Sequence, residues 1–460
     1  MGILCRFYNE YSEVNLTRIL YKDFEKPAKA LFFIILSLWG FMNTTIHKFA
    51  AYIGIDWADQ KHDICLSTSI DGKAEYKKIS STPEALTEWL SQLRQRFPEG
   101  NIAVCLEQSR GALIYHLMIY DFLVLFPVNP MTLAKYRQAF STSGAKDDRP
   151  DADLLRELIC VHRKHLRPWY PDDETSRSLA LLSEARRKAV NDRTKHTNRL
   201  QAVLKNFFPQ ALELTGAHLY DKVSLAFLEK WKRLEDIQRA QDKTIRKFYT
   251  SLGSRSTRRI NERLQLIRSA VPLTKDNAII KSSTITVRML VRQLLSLNES
   301  ISEYDLALAE MFDQHPDKDI FSSFPGVGDV LKPRLLAAFG TDRNRFEKAE
   351  NIQEYSGIAP VTKRSGKTSI VHRRLACSKF LLQTFHEFAR HSRKKSIWAQ
   401  AFYDMQRDKG KGHHTAIRSL AFKWIRIIHR CWRDRVCYDE IMYLKSLQKN
   451  QSPLLKYIAN

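Results

Sequence analysis

The sequence predicts an α/β domain followed by a longer, mainly α-helical region. From residue 50 to residue 165, short runs rich in β-branched and aromatic residues alternate with helical patterns, which indicates a sheet flanked by helices. Beyond Pro171, the stretches Glu174–Phe208 and Asn277–Gln314 contain no Gly or Pro and have helical periodicity. We therefore expect a sheet domain joined to long helices.

The α/β domain has predicted strands at Tyr52–Ile55, Asp63–Ser69, Glu75–Ile79, Asn101–Leu106 and Phe122–Val128. A helix is predicted from Thr82, a capping residue followed by Pro83, to about Phe97. Three successive strands, followed by strands that helices separate, is the order expected of a ribonuclease H-like fold. The pattern is also compatible with other α/β sheets.

The helical region contains two further patterns. The second long stretch has apolar pairs at heptad spacing, typical of a coiled coil, at Val287/Leu290, Leu294/Leu297, Ile301/Tyr304 and Leu308/Met311. The spacing leaves open whether this seam packs on the same chain or on a second protomer. Further along, Gly326 and Gly328 precede a helix predicted at Val330–Phe339. This is either a helix-hairpin-helix turn, whose backbone N–H groups contact phosphate, or a plain tight turn.

These patterns divide the chain into segments. Residues 1–41 are expected to be a leader without function, because translation is predicted to begin at Met42 rather than at Met1. The α/β domain spans 50–165, the helical coiled-coil region 172–315, the mainly α C-terminal domain 318–440 and a tail 441–460. The apolar run at residues 31–42 is shorter than the ~20 residues that a membrane span requires, so no membrane partner is expected.

The chain is strongly basic. Its 74 Lys and Arg against 50 Asp and Glu give a formal charge of +24, which favours a polyanionic partner such as nucleic acid. Between Pro360 and Arg435 there are 19 Lys and Arg against four acids, a local charge of +15. A run this one-sided repels itself unless phosphates neutralise it, although a solvated basic surface is the alternative.

Cysteine usage limits the class of protein. The seven cysteines form no Cys-x-x-Cys pair, which argues against a disulfide framework and against a structural zinc site. This composition fits a reducing compartment. We expect a prokaryotic cytoplasmic protein that associates with the nucleoid when active.

Carboxylates lie where predicted elements begin or end. Asp56 ends the first strand and Glu107 the fourth, while Asp148 and Asp151 lie three apart at the start of a helix predicted to reach His162. Four carboxylates at close range need cations, and oxygen ligands suit Mg²⁺, with Mn²⁺ as an alternative. Paired ions ~3.5–4 Å apart can stabilise both oxygens of a transferring phosphodiester. The competing interpretation is that these acids cap a turn or a helix.

These motifs resemble a known family. The Gly-Ile-Asp strand, the strand-end Glu and the Lys-x-Asp-Arg-x-Asp-Ala motif at residues 146–152 resemble the RuvC-like domain of the insertion-sequence transposases whose relatives include the Piv DNA invertases. The resemblance implies a catalytic, metal-binding tetrad, with Asp147 as a possible substitute for its third member. The tetrad consists of Asp56, Glu107, Asp148 and Asp151.

Residues 320–435 resemble the second domain of that family. The motifs in family order are Phe324-Pro-Gly-Val-Gly328, Phe346, Tyr355-Ser-Gly-Ile-Ala-Pro360, Ser365-Gly-Lys367 and Arg373-Arg-Leu-Ala-Cys377. Many members read Ser-Ser-Gly-Gly-Lys where this chain reads Arg-Ser-Gly-Lys. The family's serine nucleophile corresponds to Ser365, and Ser356 and Ser369 are nearby alternatives. The expected nucleic-acid contacts are Lys363, Arg364, Lys367, Arg373, Arg374, Gly326 and Gly328.

The resemblance implies a DNA transposase that cuts and rejoins strands through a transient phosphoserine bond. It further implies element-end and target DNA, a structured bridge RNA as guide, and a homodimer or homotetramer in which one subunit's serine domain completes another's site. Two alternatives are a RuvC-like nuclease of the Holliday-junction type that uses water, and an inactive nucleic-acid-binding relative.

Overall fold

The structure, a computed structural model, describes residues 49–69, 72–107, 110–140, 151–254, 256–366 and 368–458. The expected leader at 1–41, with Met42, lies outside the described residues, as do the predicted site residues Asp148 and Lys367. The chain divides into two compact units, one ending at Pro171 and one beginning at Asp172. No helix in the described ranges is long and apolar enough to cross a membrane.

The first unit is a mixed α/β domain built on a five-stranded sheet with the order β3-β2-β1-β4-β5. The strands β1, β2 and β3 pair antiparallel, whereas β4 and β5 run parallel to β1. The bounds confirm the predicted strands to within two residues: β1 Ala51–Asp56, β2 Lys61–Ser67, β3 Glu75–Ser80, β4 Ile102–Leu106 and β5 Leu123–Pro127.

Helices cover both faces of this sheet, each with its own apolar core. The predicted cap is confirmed, because the Thr82 hydroxyl accepts a hydrogen bond from the amide of Ala85. The helix predicted to end at His162 is also confirmed. The helices are α1 Pro83–Arg96, α2 Ala112–Leu117, α3 Pro130–Phe140 and α4 Asp151–His162, followed by a 3₁₀ turn at Arg163–His165.

The backbone of α4 passes very close to the middle of β1. A Cβ atom on Gly54 would lie 1.9 Å from the carbonyl oxygen of Ala152 and 2.4 Å from the amide nitrogen of Arg156. Its neighbours Ile53 and Ile55 are fully buried. Glycine at this position therefore lets the first turn of α4 lie directly against the strand that ends in the candidate acid.

A buried ion pair fixes the rotation of α4 on the sheet. The Arg156 guanidinium donates to the Asp153 carboxylate at 3.0 Å and to the Ser67 hydroxyl at 3.3 Å. Both charged side chains are buried, so leaving either one unpaired would be costly. The pair therefore joins α4 to the end of β2 in one orientation.

The second unit is organised by two long antiparallel helices, α5 Glu174–Phe207 and α11 Asn277–Asp313, which confirm the predicted stretches to within one residue. Arg186 on α5 forms an ion pair with Asp305 on α11, and Arg193 donates to Asn298 at 3.2 Å. Val287, Leu290, Leu294, Ile301 and Leu308 of the predicted seam are buried. The seam thus packs within its own chain.

Short helices between α5 and α11 form a separate apolar core with the ends of the two long helices. The sequence patterns did not predict this core. Its aromatic centre includes Phe227, Trp231 and Phe248. The helices are α6 Ala211–Leu214, α7 Lys222–Lys230, α8 Leu234–Gln238, α9 Asp242–Ser251 and α10 Thr257–Ser269.

The C-terminal part is mainly α-helical, as predicted, and contains one unpredicted β-hairpin of β6 Val361–Ser365 and β7 Thr368–His372. A large core of buried aromatic residues holds its helices together. The helices are α12 Lys318–Ser322, α13 Gly328–Phe339, α14 Ala349–Tyr355, α15 Lys379–Ser392, α16 Ile397–Asp408, α17 His413–Asp434, α18 Glu440–Lys449 and α19 Leu455–Ile458.

The close approach at Gly54 yields a stability prediction. Gly54→Ala would push a methyl group into the α4 backbone and should lower the free energy of unfolding by about 3 kcal/mol, at the upper end of overpacking costs. Urea unfolding at pH 7 measures this difference. Gly216→Ala is the control, because a Cβ there would make only ordinary contacts, 3.5 Å from the Ser224 hydroxyl and 3.8 Å from the Asp221 carboxylate. Equal stability of the two variants would contradict the account of Gly54.

Candidate active site

Asp56 and Glu107 lie at the same edge of the sheet. Asp56 is the last residue of β1, and Glu107 directly follows β4. The two strands are parallel neighbours with Ile55 opposite Leu106, so the next residue of each strand projects from the same end. The carboxyl ends of parallel strands are where α/β sheets position polar site residues.

Asp151 joins these acids from the start of α4. It is the first residue of that helix and directly precedes Ala152, whose carbonyl lies against Gly54. The contact at Gly54 therefore places Asp151 beside the end of β1. Asp148, the remaining member of the predicted tetrad, lies outside the described residues.

The three described acids interact electrostatically. Burial raises the pKa of Asp56, and the charges of Asp151, Glu107 and Asp63 act in the same direction, so that the pKa reaches about 6. Burial also raises the pKa of Glu107, again with a contribution from Asp151. Each of these carboxylates is therefore held where a positive charge would stabilise its ionised form.

Sequence reasoning missed two charged neighbours of this acid cluster. One guanidinium nitrogen of Arg137 on α3 donates to both carboxylate oxygens of Asp151, and the charge of Arg137 lowers the pKa of both Asp56 and Glu107. Asp63 on β2 lies opposite Asp56 in the antiparallel register and forms an ion pair with Lys78 at 3.2 Å. The pairing of β1 with β2 could have indicated that Asp63 lies beside Asp56. No pattern in the sequence indicates that Arg137 lies beside Asp151.

The chemistry of the acid cluster suits a hard cation. Carboxylates from three elements act on one another electrostatically, and Mg²⁺ prefers carboxylate oxygens as ligands. Among the described residues, however, no three His, Cys, Asp or Glu side chains lie close enough to hold a metal by themselves. A metal at this edge would require a shift of side chains, including Arg137, or a ligand from the segment that carries Asp148.

Ser365 lies at the tip of the β6–β7 hairpin. It pairs with Thr368 across the turn, in which Gly366 has a φ of +55°. The side chain is exposed, and its hydroxyl makes no hydrogen bond to another described residue. Because side chains alternate along a strand, Lys363 lies on the same face of β6 as Ser365. An exposed hydroxyl with a neighbouring ammonium group can meet a phosphodiester.

The two alternative serines differ from Ser365. Ser356 is fully buried, and its hydroxyl donates to the carbonyl of Gln353 at 3.3 Å. This burial excludes it from contact with DNA in this conformation. Ser369 is exposed on β7 opposite Arg364, on the other face of the hairpin from Ser365.

The predicted nucleic-acid contacts have different surroundings. Arg364 and Arg373 are exposed, whereas Arg374 lies over Ala359, donates to its carbonyl at 3.4 Å and contacts Glu354 at 3.8 Å. Gly326 has a φ of +74°, and a Cβ there would lie 2.8 Å from the backbone oxygen of His391. Gly328, with a φ of +50°, has open space at the start of α13. Packing thus explains Gly326, and Gly328 is the one that can approach a ligand.

Two family models match the chain. One, described as a transposase and named for DEDD transposases of IS110, matches residues 53–209. The other, described as the transposase IS116/IS110/IS902 family, matches residues 318–404. The first match contains Asp56, Glu107 and Asp151, and the second contains Ser365.

Bacterial proteins similar to this chain are encoded by insertion elements. The proposed mini-circle transposase for IS117 of Streptomyces coelicolor is 27% identical over 89% of this chain and 98% of its own length. An uncharacterised 44.8 kDa protein of IS116 from Streptomyces clavuligerus is 25% identical over 84% and 95%. An uncharacterised 42 kDa protein of IS900 from Mycobacterium paratuberculosis is 23% identical over 84% and 96%.

The raised pKa of Asp56 predicts a pH-dependent stability. The pKa of Asp56 in the folded protein, about 6, exceeds its usual value of 3.8. The protonated carboxyl therefore contributes stability to the folded protein that is fully present below pH 3.8. This contribution is lost as the pH rises through 6. Asp56→Asn should therefore stabilise the metal-free protein at pH 8 by about 1 kcal/mol, a value reduced for solvent screening, and not at pH 4.

Urea unfolding in EDTA at the two pH values checks this prediction. Asp121→Asn, at an exposed carboxylate of the same unit, is the matched control. An Asp56→Asn variant that is less stable than the wild type at pH 8 would show that the folded protein does not disfavour the ionised form of Asp56.

Proposed function

This chain carries both domains of the IS110 family of insertion-element transposases, and we propose that it cuts and rejoins DNA with an acidic metal site and a serine nucleophile. The observation that carries the proposal is the meeting of Asp56, Glu107 and Asp151 at one edge of the sheet. The strand order β3-β2-β1-β4-β5, antiparallel and then parallel, supports a ribonuclease H-like, RuvC-like interpretation of this domain.

In the proposed site, Asp56, Glu107, Asp148 and Asp151 supply oxygen ligands for Mg²⁺ or Mn²⁺. Such ions stabilise the charge on the attacking and leaving oxygens of a phosphodiester. Arg137 holds Asp151 until the site is loaded, and it then becomes available to a phosphate oxygen. The carboxylates and a phosphodiester repel one another, so the acids would position the scissile phosphate only through a bound cation.

In the proposed reaction, the Ser365 oxygen attacks the phosphorus of a DNA strand and loses its proton to a base. The phosphorus–oxygen bond to one side of the strand breaks, and the departing DNA oxygen takes up a proton. The phosphate is now esterified to Ser365, so the energy of the phosphodiester bond is retained. A second DNA hydroxyl can then attack the same phosphorus, which restores a DNA phosphodiester and releases the serine hydroxyl. Lys363, on the same face, stabilises the developing negative charge.

The acids and Ser365 belong to different compact units of the chain. We propose that a second subunit supplies one of them, in a homodimer or a homotetramer. The exposure of the hairpin supports this arrangement, since its apolar side chains Ile370 and Val371 are more than half exposed. The basic stretch from Pro360 to Arg435 has enough charge to contact a guide RNA as well as element-end and target DNA.

The serine step is tested by substitution. Ser365→Ala removes the oxygen that forms the covalent bond and leaves the acids and the basic surface in place. DNA binding should persist, whereas recombination between a donor and a target plasmid in cells should fall by several orders of magnitude, because loss of a serine nucleophile costs on the order of 10⁶ in rate. A denaturing gel should then show no protein-linked DNA.

Ser369→Ala is the matched control, because it removes a hydroxyl from the same hairpin on the opposite face. It should recombine like the wild type. If Ser365→Ala also recombines like the wild type while Asp56→Ala is inactive, water is the nucleophile and a RuvC-like nuclease mechanism replaces this one.

The salt dependence of DNA binding tests the basic surface. A plot of log affinity against log salt concentration should have a slope of magnitude about 0.9 for each phosphate neutralised. Arg364→Ala should lower this magnitude by about one. Arg258→Ala, which removes an exposed cation paired with Glu262 on α10, should leave the slope unchanged. A slope near zero for the wild type would remove nucleic acid as the partner of this surface.

A further inference from the structure

Cationic and histidine side chains from three elements meet beside the hairpin. Arg373 directly follows β7, His386 lies on α15, and His414 and Arg418 lie on the first two turns of α17. We refer to these four residues as the histidine–arginine cluster. The ring centroids of His386 and His414 are 5.5 Å apart, and those of His413 and His414 are 5.1 Å apart. No function described above uses the histidines.

The positive charge of the cluster is not fully compensated by the surrounding protein. The Nε atom of Arg418 is buried and has no hydrogen-bond partner among the described residues. Burial and the charge of Arg373 both disfavour its positive charge and lower its pKa. The first turn of α17 adds to this potential, because Gly412 at its N-cap offers no side chain to the free N–H groups.

The charges that act on the histidines are mostly positive. Burial lowers the pKa of His386, and His414, Arg418 and His413 lower it further. Burial lowers the pKa of His413 as well, with His414, Arg393, Arg390 and Arg407 acting in the same direction. Like charges gathered in this way are stabilised when an anion is placed between them.

The carboxylates on the same helices are engaged elsewhere. Glu387, next to His386 on α15, forms ion pairs with Arg187 at 3.3 Å and with Arg334 at 2.6 Å. Asp434, at the far end of α17, forms an ion pair with Arg430 at 3.5 Å. His413 on α17 shares a 2.8 Å hydrogen bond with the hydroxyl of Tyr403. These contacts leave the positive charge of the cluster for an external group.

We propose that Arg373, His386, His414 and Arg418 bind a backbone phosphate of DNA, and that His386 gains a proton when the phosphate binds. The proposal rests on the proposed function and specifies how the substrate is held. From the Ser365 end of the hairpin, β7 reaches Arg373 within five residues, about 17 Å of extended chain. One DNA backbone is long enough to contact both places.

Proton gain gives the site a characteristic pH dependence. At neutral pH the free His386 is mainly neutral, because its pKa lies below the usual value of 6.5. A phosphate raises that pKa, so DNA affinity should increase as the pH falls. A shift of one pKa unit on binding corresponds to about a tenfold change in affinity. The whole of this change appears only below the pKa of the free histidine, so binding should be measurably tighter at pH 6 than at pH 8, with about tenfold as the upper limit for a shift of one unit.

The experiment measures binding of the full chain to a labelled 30-base-pair duplex by fluorescence anisotropy, at both pH values and fixed salt. His386→Gln should remove most of the difference in affinity between the two pH values. His414→Gln, at an exposed position where packing is not at risk, should give an intermediate ratio. His218→Gln is the matched control, because His218 is an exposed histidine between α6 and α7 whose ring stacks on Tyr220. This variant should behave like the wild type.

A second readout counts the protons directly. Calorimetric titration at pH 7 in two buffers of different ionisation enthalpy should show net proton uptake for the wild type and less for His386→Gln. A wild type whose affinity and heats do not vary in this way, or a His386→Gln variant that keeps the full pH ratio, overturns the proposal. So does a pH-dependent preference for single-stranded RNA of the same length with none for the duplex.

Failure of this proposal is distinguishable from failure of the proposed function. Salt-dependent DNA binding without pH dependence contradicts the phosphate site alone. Absence of salt-dependent DNA binding contradicts both.

Discussion

The contact between the α4 backbone and Gly54 is the constraint on which the acid cluster depends. It explains why three adjacent residues of β1 have such different side chains. Glycine admits the helix, Ile55 fills the core beneath it, and Asp56 ends the strand at the open edge. Because α4 begins with Asp151, the approach that glycine allows is also what brings the helix's first carboxylate to Asp56. The buried side chains of Asp153 and Arg156 join α4 to β2, because Arg156 donates to the Ser67 hydroxyl at 3.3 Å and Asp153 accepts from the Cys65 thiol at 3.5 Å.

Unbalanced charge is the second principle of this molecule. One unit gathers carboxylates that raise one another's pKa, and the other gathers cations and histidines that lower one another's pKa. Each arrangement costs stability in the protein alone. Arg137 offsets part of the cost among the acids, whereas the Nε atom of Arg418 has no hydrogen-bond partner among the residues that the structure describes. A metal cation is complementary to the cluster of carboxylates, and a phosphodiester is complementary to the cluster of cations and histidines. Each cluster would therefore be stabilised by binding its ligand.

Periodicity predicted the strands and the long helices because both depend on local burial patterns that the sequence records directly. The register of β1 and β4 then followed from topology, and with it the meeting of Asp56 and Glu107. The sequence did not predict the β6–β7 hairpin. Its β-branched residues, which include Thr362, Thr368 and Val371, are interspersed with basic residues and serines, so no apolar alternation indicates a strand. Arg137 and the histidine–arginine cluster could not be predicted, since their residues meet only through packing of elements that are distant in sequence.

The central claim is that Ser365 becomes covalently linked to DNA, and the most direct measurement is mass spectrometry of the trapped complex. Denatured reaction mixtures, digested with nuclease and trypsin, should contain the peptide that includes Ser365 with the added mass of a nucleotide. The adduct should require divalent metal and an intact Asp56. Cleaved DNA without any protein-linked nucleotide, or a nucleotide attached to a residue other than Ser365, would contradict the account.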